Sequence, residues 1–303
     1  MNLITRSDFD GLVCGAILEE AGIIDNWTFV HPKDLQDGLI PVTENDVLAN
    51  VPYVPGCGLW FDHHSSEEDR IKGLVFKGES RLERSTTRII YEYYGGKEKM
   101  PHFEEMINAV DLVDSGQLSV DDILNPRGWV LLGFIMDPRT GLGRFQDYTI
   151  SNYALMKNLI EECRTKKIDE ILANPHVQER LKRYWEQDEL FRQMIKEHTQ
   201  IHGNVIFTDL RDVSPIYSGN RFMIYAIYPE QNISVWVVDG RAKKNAAIAI
   251  GHSIINRTSK TDVGALCLKN GGGGHKQVGT CQVPYEDCDK ILKACIEQMN
   301  AEG

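Results

Sequence analysis

Over the first 145 or so residues, short apolar runs alternate with helical patterns, and this alternation restricts the fold more than any other feature. Strands that alternate with helices build a mostly parallel sheet covered by those helices. Residues 2–5 begin a strand, and residues 11–20 (GLVCGAILEE) read as the helix after it. WTFVH at 27–31, DVLANV at 46–51 and GLWFD at 58–62 are the next three strands, and LVF at 74–76 is a candidate fifth. Ser85 is placed to cap a helix over RSTTRIIYEYY that ends at Gly95 and Gly96. A further helix is expected over residues 103–113.

From residue 152 to 200 the sequence is rich in Leu, Ile, Glu, Lys and Arg at helical spacing, broken at Asn174-Pro175. It reads as two helices forming a stiff link between domains. After Gly203 the pattern becomes strand-rich, with VIFTDL, FMIYAIYP, ISVWVVDG, NAAIAIGHS and KQVGTCQVP, closed by a helix over 288–299. The expected organisation is an α/β domain over 1–150, a helical linker over 151–202 and a smaller α+β domain over 203–303.

Composition narrows the classes further. A chain of 303 residues with 42% hydrophobic and 25% charged content is globular, neither disordered nor collagen-like. No apolar run approaches the ~18 residues of a membrane span, and the N-terminus lacks the pattern of a signal peptide. The seven cysteines form no CxxC pair, so the expected setting is the reducing cytoplasm, away from membranes. The net charge of −11 is uneven: 11 Lys+Arg face 10 Asp+Glu from Gly203 onward, leaving 22 against 34 before it. That balance argues against gripping a long duplex and is compatible with a short anionic substrate held near bound cations.

Four short segments carry chemistry. Asp8 and Asp10 follow the first strand in SDFDG, at the sheet edge where open α/β folds place ligands. Paired carboxylates there suit magnesium or manganese, and the plainer role is a helix N-cap, with Asp10 capping the helix at Gly11. Asp62-His63-His64 ends the GLWF strand, so that one imidazole can bind a metal, the next can face substrate and the Asp can orient a ring. Asp111 and Asp114 end an apolar helix and either complete a metal site or decorate a helix terminus. Gly271, Gly272, Gly273 and Gly274 precede His275. Successive glycines can aim backbone N–H groups inward as an anion nest, and strand-like DVGALCL and QVGTCQV flanks argue for a shaped turn. No GK[ST] follows these glycines, which excludes a Walker A loop.

Taken in order, DxDG after strand one, DHH some fifty residues later, D-x-x-D near residue 111 and GGGGH near the end resemble the DHH/DHHA1 phosphoesterases, and the resemblance covers both domains. Exopolyphosphatase-related and nanoRNase-like members are the nearest. The resemblance implies one or two Mn2+ (or Mg2+) ions at the carboxyl edge of an N-terminal DHH sheet, with a C-terminal DHHA1 domain holding substrate. Carried onto this chain, Asp8, Asp10, His63 and Asp114 would be metal ligands, with Asp111 the runner-up to Asp114. His64, with Asp62, would act on the scissile phosphate, and Gly271, Gly272, Gly273, Gly274 and His275 would hold the substrate's phosphate or nucleotide end.

Three positions depart from that pattern. Ile4 stands where the family has a metal-binding histidine, and Asn50 where a bridging Asp ends the second motif. His252, in IGHS, stands where a substrate arginine is usual. A cage short of an imidazole and a carboxylate is expected to hold one ion firmly, on Asp10, His63 and Asp114, and a second weakly. The expected activity is metal-dependent hydrolysis of a short oligonucleotide, nucleotide phosphate or polyphosphate, with no membrane or long-duplex partner and a homodimer left open. The rival is a degenerate member that binds a nucleotide or oligonucleotide without hydrolysing it.

Overall fold

The computed structural model describes residues 1–64, 67 and 70–303, the Arg241 side chain excepted. The chain divides into two compact units, Met1–Gln117 with Pro126–Tyr184, and Leu118–Asn125 with Trp185–Gly303.

The first unit is built on β1 (Asn2–Arg6), β2 (Asn26–Val30), β3 (Asp46–Ala49), β4 (Leu59–Asp62) and β5 (Gly78–Ser80), in the order β2-β1-β3-β4-β5. Every pairing is parallel. All the strands therefore finish at one edge, and the loops after β1, β3 and β4 emerge side by side there. The register places Ile4 opposite Leu48 and Leu48 opposite Trp60, a row of buried apolar side chains across one face. On this face Tyr53 and Phe76 lie against Trp60. Helix α1 (Phe9–Glu20) follows β1 and is buried along most of its length.

Further helices of this unit are α2 (Pro32–Gln36), α3 (Thr86–Tyr93), α4 (Gly96–Lys99) and α5 (Glu104–Asp114). Ser85 caps α3 by accepting from the Arg88 N–H, as its position in the sequence predicts. The fifth strand lies four residues later than the apolar LVF run: residues 74–76 are not strand, and Phe76 instead packs on Trp60.

The second unit begins with α6 (Val120–Leu124), whose N-terminus carries a Ser119–Asp122 capping box. Residues 118–125 group with this unit. Helices α7 (Gly128–Met136) and α8 (Asn152–Thr165) return to the first unit, and Leu155, Leu159 and Ile160 of α8 are fully buried. Helix α8 thus contributes core side chains to the first unit. Helix α9 (Ile168–Leu172) follows, and the boundary between units falls inside α10 (Pro175–His198).

Six strands form the second sheet: β6 (Thr199–His202), β7 (Val205–Asp209), β8 (Ile233–Asp239), β9 (Asn245–His252), β10 (Gly273–His275) and β11 (Val278–Pro284). Their order is β10-β11-β9-β8-β7-β6, antiparallel except for β7 with β8. Two expected strands are helices instead: α11 (Met223–Ile227) within FMIYAIYP, and α12 (Val263–Lys269) within DVGALCL. Asp262 accepts from the Ala265 N–H and starts α12 as an N-cap, the local signal that overrides its β-branched opening. The last helix, α13 (Cys288–Glu302), buries Leu292 and Met299 against Val205, Val235 and Ile248 of the sheet. No described helix is long and apolar enough to cross a membrane.

Candidate metal centre

At the carboxyl edge of the first sheet, the turn from β1 into α1 delivers Asp8 and Asp10, β3 leads to Asn50, and β4 leads to Asp62, His63 and His64. Asp10, His63 and Asp114 converge, each offering a ligand atom within 4.8 Å of the others. Atoms that share a hard ion at ~2.1 Å lie roughly 3 to 4 Å apart, so the three are close to coordination spacing.

Two of the three are held from behind. The first N–H groups of α3 grip Asp10: Thr86 N–H donates to Oδ2 at 3.0 Å and Thr87 N–H to Oδ1 at 2.8 Å. His63 Nδ1–H donates to the Glu83 carbonyl at 3.2 Å, which leaves Nε2 as the lone-pair nitrogen of the neutral ring. That Nε2 is buried and makes no aligned hydrogen bond, although Asp114 Oδ2 lies 3.1 Å away. An orphaned imidazole nitrogen facing two carboxylates fits a divalent cation by charge and donor type.

The electrostatics say the same. Burial first, then Asp114, pushes the Asp10 carboxyl up to about 6, against the pull of His63. Burial opposes protonation of His63, yet Asp114 and Asp10 push its pKa up to about 10. Burial also raises Asp114, but its contact with His63 outweighs this and holds it below the usual range. Without a metal, the cluster takes up a proton to make good its missing positive charge.

Asp8 behaves differently. It, and not Asp10, is the N-cap of α1, donated to by Gly11 N–H at 3.0 Å. The same Oδ1 accepts from Asn50 Nδ2 at 2.9 Å, while Oδ2 pairs with Arg6 Nε at 3.0 Å. Burial is the first cause that raises its pKa, with Arg6 opposing. Asp8, Asp10 and Asp114 also line a hollow of about 10 Å³ with Asp137 and Arg139, roughly the space of one water or ion. Arg139 is tied to Asp137 by Nε at 2.7 Å.

Asp111 is not part of the cluster. Its Oδ1 accepts from Ser85 Oγ at 2.6 Å, and its Oδ2 accepts from Arg88 Nε at 2.9 Å and Nη2 at 2.6 Å. It braces the start of α3, which in turn holds Asp10. Asp46 opens β3 and binds Thr43 and Asn2, away from this edge. Asn50 is buried with φ +56, a left-handed backbone that Asn tolerates better than most residues. Ile4 points into the apolar row of the sheet, where a metal-binding imidazole would be out of place.

His64 has its own support. Nδ1–H donates to Asp62 Oδ1 at 3.0 Å, and the His64 N–H donates to Oδ2 at 3.1 Å. Burial lowers its pKa and the buried Asp62 raises it, the net being upward. The ring stays 41% exposed and lines a hollow of about 160 Å³ with Arg6, Asn50 and Asp62. A carboxylate-oriented imidazole with one free edge can donate a hydrogen bond or a proton to a phosphate oxygen.

In the second unit, the glycine segment is not a free nest. Gly271 N–H donates to the Leu268 carbonyl at 3.1 Å and Gly272 N–H to Cys267 at 2.9 Å, closing the end of α12. Gly273, Gly274 and His275 form β10, paired with β11 in a hairpin, and His275 is exposed. A Cβ on Gly272 would meet the Thr280 carbonyl at 2.0 Å, and one on Gly274 would meet that of Val278 at 2.3 Å. A Cβ on Gly273 would meet nothing within 4 Å. His252 Nε2–H donates to the Thr261 carbonyl at 2.8 Å. Tyr225 is buried, its hydroxyl 2.8 Å from Ser234 Oγ, and Trp236 stacks on Phe191.

Sequence reasoning did not single out Arg6, Arg139, or the Thr86 and Thr87 amides. Arg6 lies two residues before Asp8, and its charge at a strand's end was the available signal; Arg139 reaches the site only through the fold.

No family model and no curated protein matches the chain. Among solved structures it is similar to PggH, a pGpG-specific phosphodiesterase from Vibrio cholerae, at 45% identity and a TM-score of 0.88, covering 100% of this chain and 99% of that one. It shares its fold with the DHH domain of a protein described as a member of a ribosomal-protein family, at 13% identity and a TM-score of 0.56, covering 99% of this chain and 86% of that one. With its parallel-sheet unit, its Asp-His-Asp cluster and full-length likeness to a phosphodiesterase, the chain belongs to the DHH/DHHA1 phosphoesterase superfamily.

Proposed function

We propose that this chain is a metal-dependent phosphodiesterase that hydrolyses a short linear dinucleotide of the pGpG kind. The carrying observation is the convergence of Asp10, His63 and Asp114, with the buried His63 Nε2 left without an aligned hydrogen-bond partner. The similarity to PggH over the whole chain supports the substrate class. Mn2+ suits this mixed imidazole and carboxylate set better than Mg2+. A divalent ion on these three residues would acidify water and neutralise charge developing on phosphoryl oxygens.

The chain's own groups do the rest. The start of α3 fixes Asp10, and the Glu83 carbonyl fixes the His63 tautomer. His64, oriented by Asp62, donates to a nonbridging oxygen or protonates the leaving oxygen. His275 and the Gly273 backbone are the parts of the glycine hairpin proposed to hold the substrate's far end, because the Gly271 and Gly272 amides already cap α12. His252 is the less committed contact, its Nε2 being tied to Thr261.

Purified protein with Mn2+ and a panel of pGpG, pApA, pAp, cyclic dinucleotides and short polyphosphate tests the reading. Release of GMP from pGpG, fastest in the panel, is expected. Tight binding of pGpG without product would favour the rival reading of a nucleotide-binding protein, which Ile4 and Asn50 motivate.

A further inference from the structure

Asp8 and Asp10 both follow β1, but only Asp8 is paired with a permanent cation. Both Asp8 oxygens are engaged, Oδ1 by Gly11 and Asn50 and Oδ2 by Arg6. Asn50 brings an amide where a carboxylate would add charge, and Ile4 brings a hydrocarbon. Donors for a second hard cation are therefore missing beside Asp8. What stands there is a permanent positive charge. The Arg6 side chain is 30% exposed, and among the described residues only Asp8 pairs with its guanidinium. It opens on the same hollow as His64 and Asn50.

We propose that Arg6 is the second cation of this site: clamped on Asp8, it supplies the charge that a second divalent ion would bring, and turns its remaining N–H groups toward the substrate's phosphoryl oxygens beside His64. The one ion goes to Asp10, His63 and Asp114. A guanidinium fork matches phosphate oxygens in shape as well as charge. The phosphate contact rests on the hydrolase reading; the ion count does not.

Mn2+ titration of the full chain, by calorimetry and native mass spectrometry, reads the count directly. Wild type is expected to take up one ion, and the double variant Arg6→Met with Asn50→Asp two. Two tight ions in wild type would overturn the inference. With pGpG, Arg6→Met is expected to lower kcat about 100-fold, as loss of one charge-stabilising donor does elsewhere. Arg6→Lys, which keeps the charge on Asp8, should recover part of that loss, and unchanged kcat in Arg6→Met would remove the phosphate contact. One ion bound with no turnover across the panel would sink the hydrolase reading while supporting the count.

Discussion

In the first unit, Asp10 and His63 are braced from behind and converge with Asp114 on a common point in front. In the second unit, the glycine hairpin is shaped by backbone hydrogen bonds and by carbonyls too close for any Cβ. One region is organised by charge and the other by sterics. Residue identity therefore means different things in the two. A carboxylate in the cluster is required for what it can bind, whereas Gly272 and Gly274 are required for what they leave out. Gly271 has open space for a Cβ but a φ of +77 that favours glycine, so Gly273 alone is free of both demands.

The sharpest way to break this contrast is to remove a charge. Asp10→Ala or His63→Ala should lower kcat by ~10³-fold or more, the several kcal/mol that a divalent ion contributes. Both should abolish Mn2+ uptake in calorimetry, and retained turnover in Asp10→Ala would remove the proposed centre. Next is Asp111, an acid of the same motif with a structural duty. Asp111→Ala strands Arg88 and releases Ser85, and should cost ~3 kcal/mol of stability in denaturant unfolding. The folded fraction should still bind one Mn2+ ion. Asp114→Ala should instead lose the ion.

Parts of this were readable in the residues alone. DxD at a strand's end, DHH at another and D-x-x-D on a helix held all three residues of the cluster, because a parallel sheet brings its carboxyl ends together whatever the loop lengths. The division of labour between Asp8 and Asp10, and between Asp111 and Asp114, was expected from the family resemblance and not from the spacing of the residues. It is decided by Arg6, Asn50, Thr86, Thr87 and Arg88, most of which come from other segments of the fold. The errors in the second unit have a simpler cause. Short apolar runs such as FMIYAIYP and DVGALCL suit a buried helix or a strand equally well. The Asp262 cap, placed before DVGALCL's valine, was the readable cue for helix.

A gentler probe of the cluster is pH. In the metal-free chain the folded-state pKa of His63 is raised from 6.5 to about 10. Its contribution to stability is therefore full below 6.5 and is lost as pH rises toward 10. Asp10, raised from 3.8 to about 6, likewise favours the fold only in its protonated form, and loses that contribution between those values. Metal must displace the His63 proton, so Mn2+ affinity should rise about tenfold per pH unit between pH 6.5 and 8.5. Calorimetry in two buffers of different ionisation enthalpy should show about one proton released per ion. An affinity flat with pH would mean that His63 is not a ligand.

The smallest effect bears on the hairpin's one exception. Gly272→Ala would drive a methyl to 2.0 Å from a carbonyl oxygen, and Gly274→Ala to 2.3 Å. Each should cost ~1–3 kcal/mol in thermal unfolding, as overpacking does. Gly273→Ala meets no atom within 4 Å and lies outside the left-handed backbone region, so its stability should stay within ~0.5 kcal/mol of wild type. If substrate approaches the Gly273 backbone, that same methyl stands in its way. KM for pGpG should then rise several-fold with kcat little changed, the signature of weakened ground-state binding. A Gly273→Ala protein with unaltered KM would reduce this hairpin to the steric role that already accounts for its other glycines.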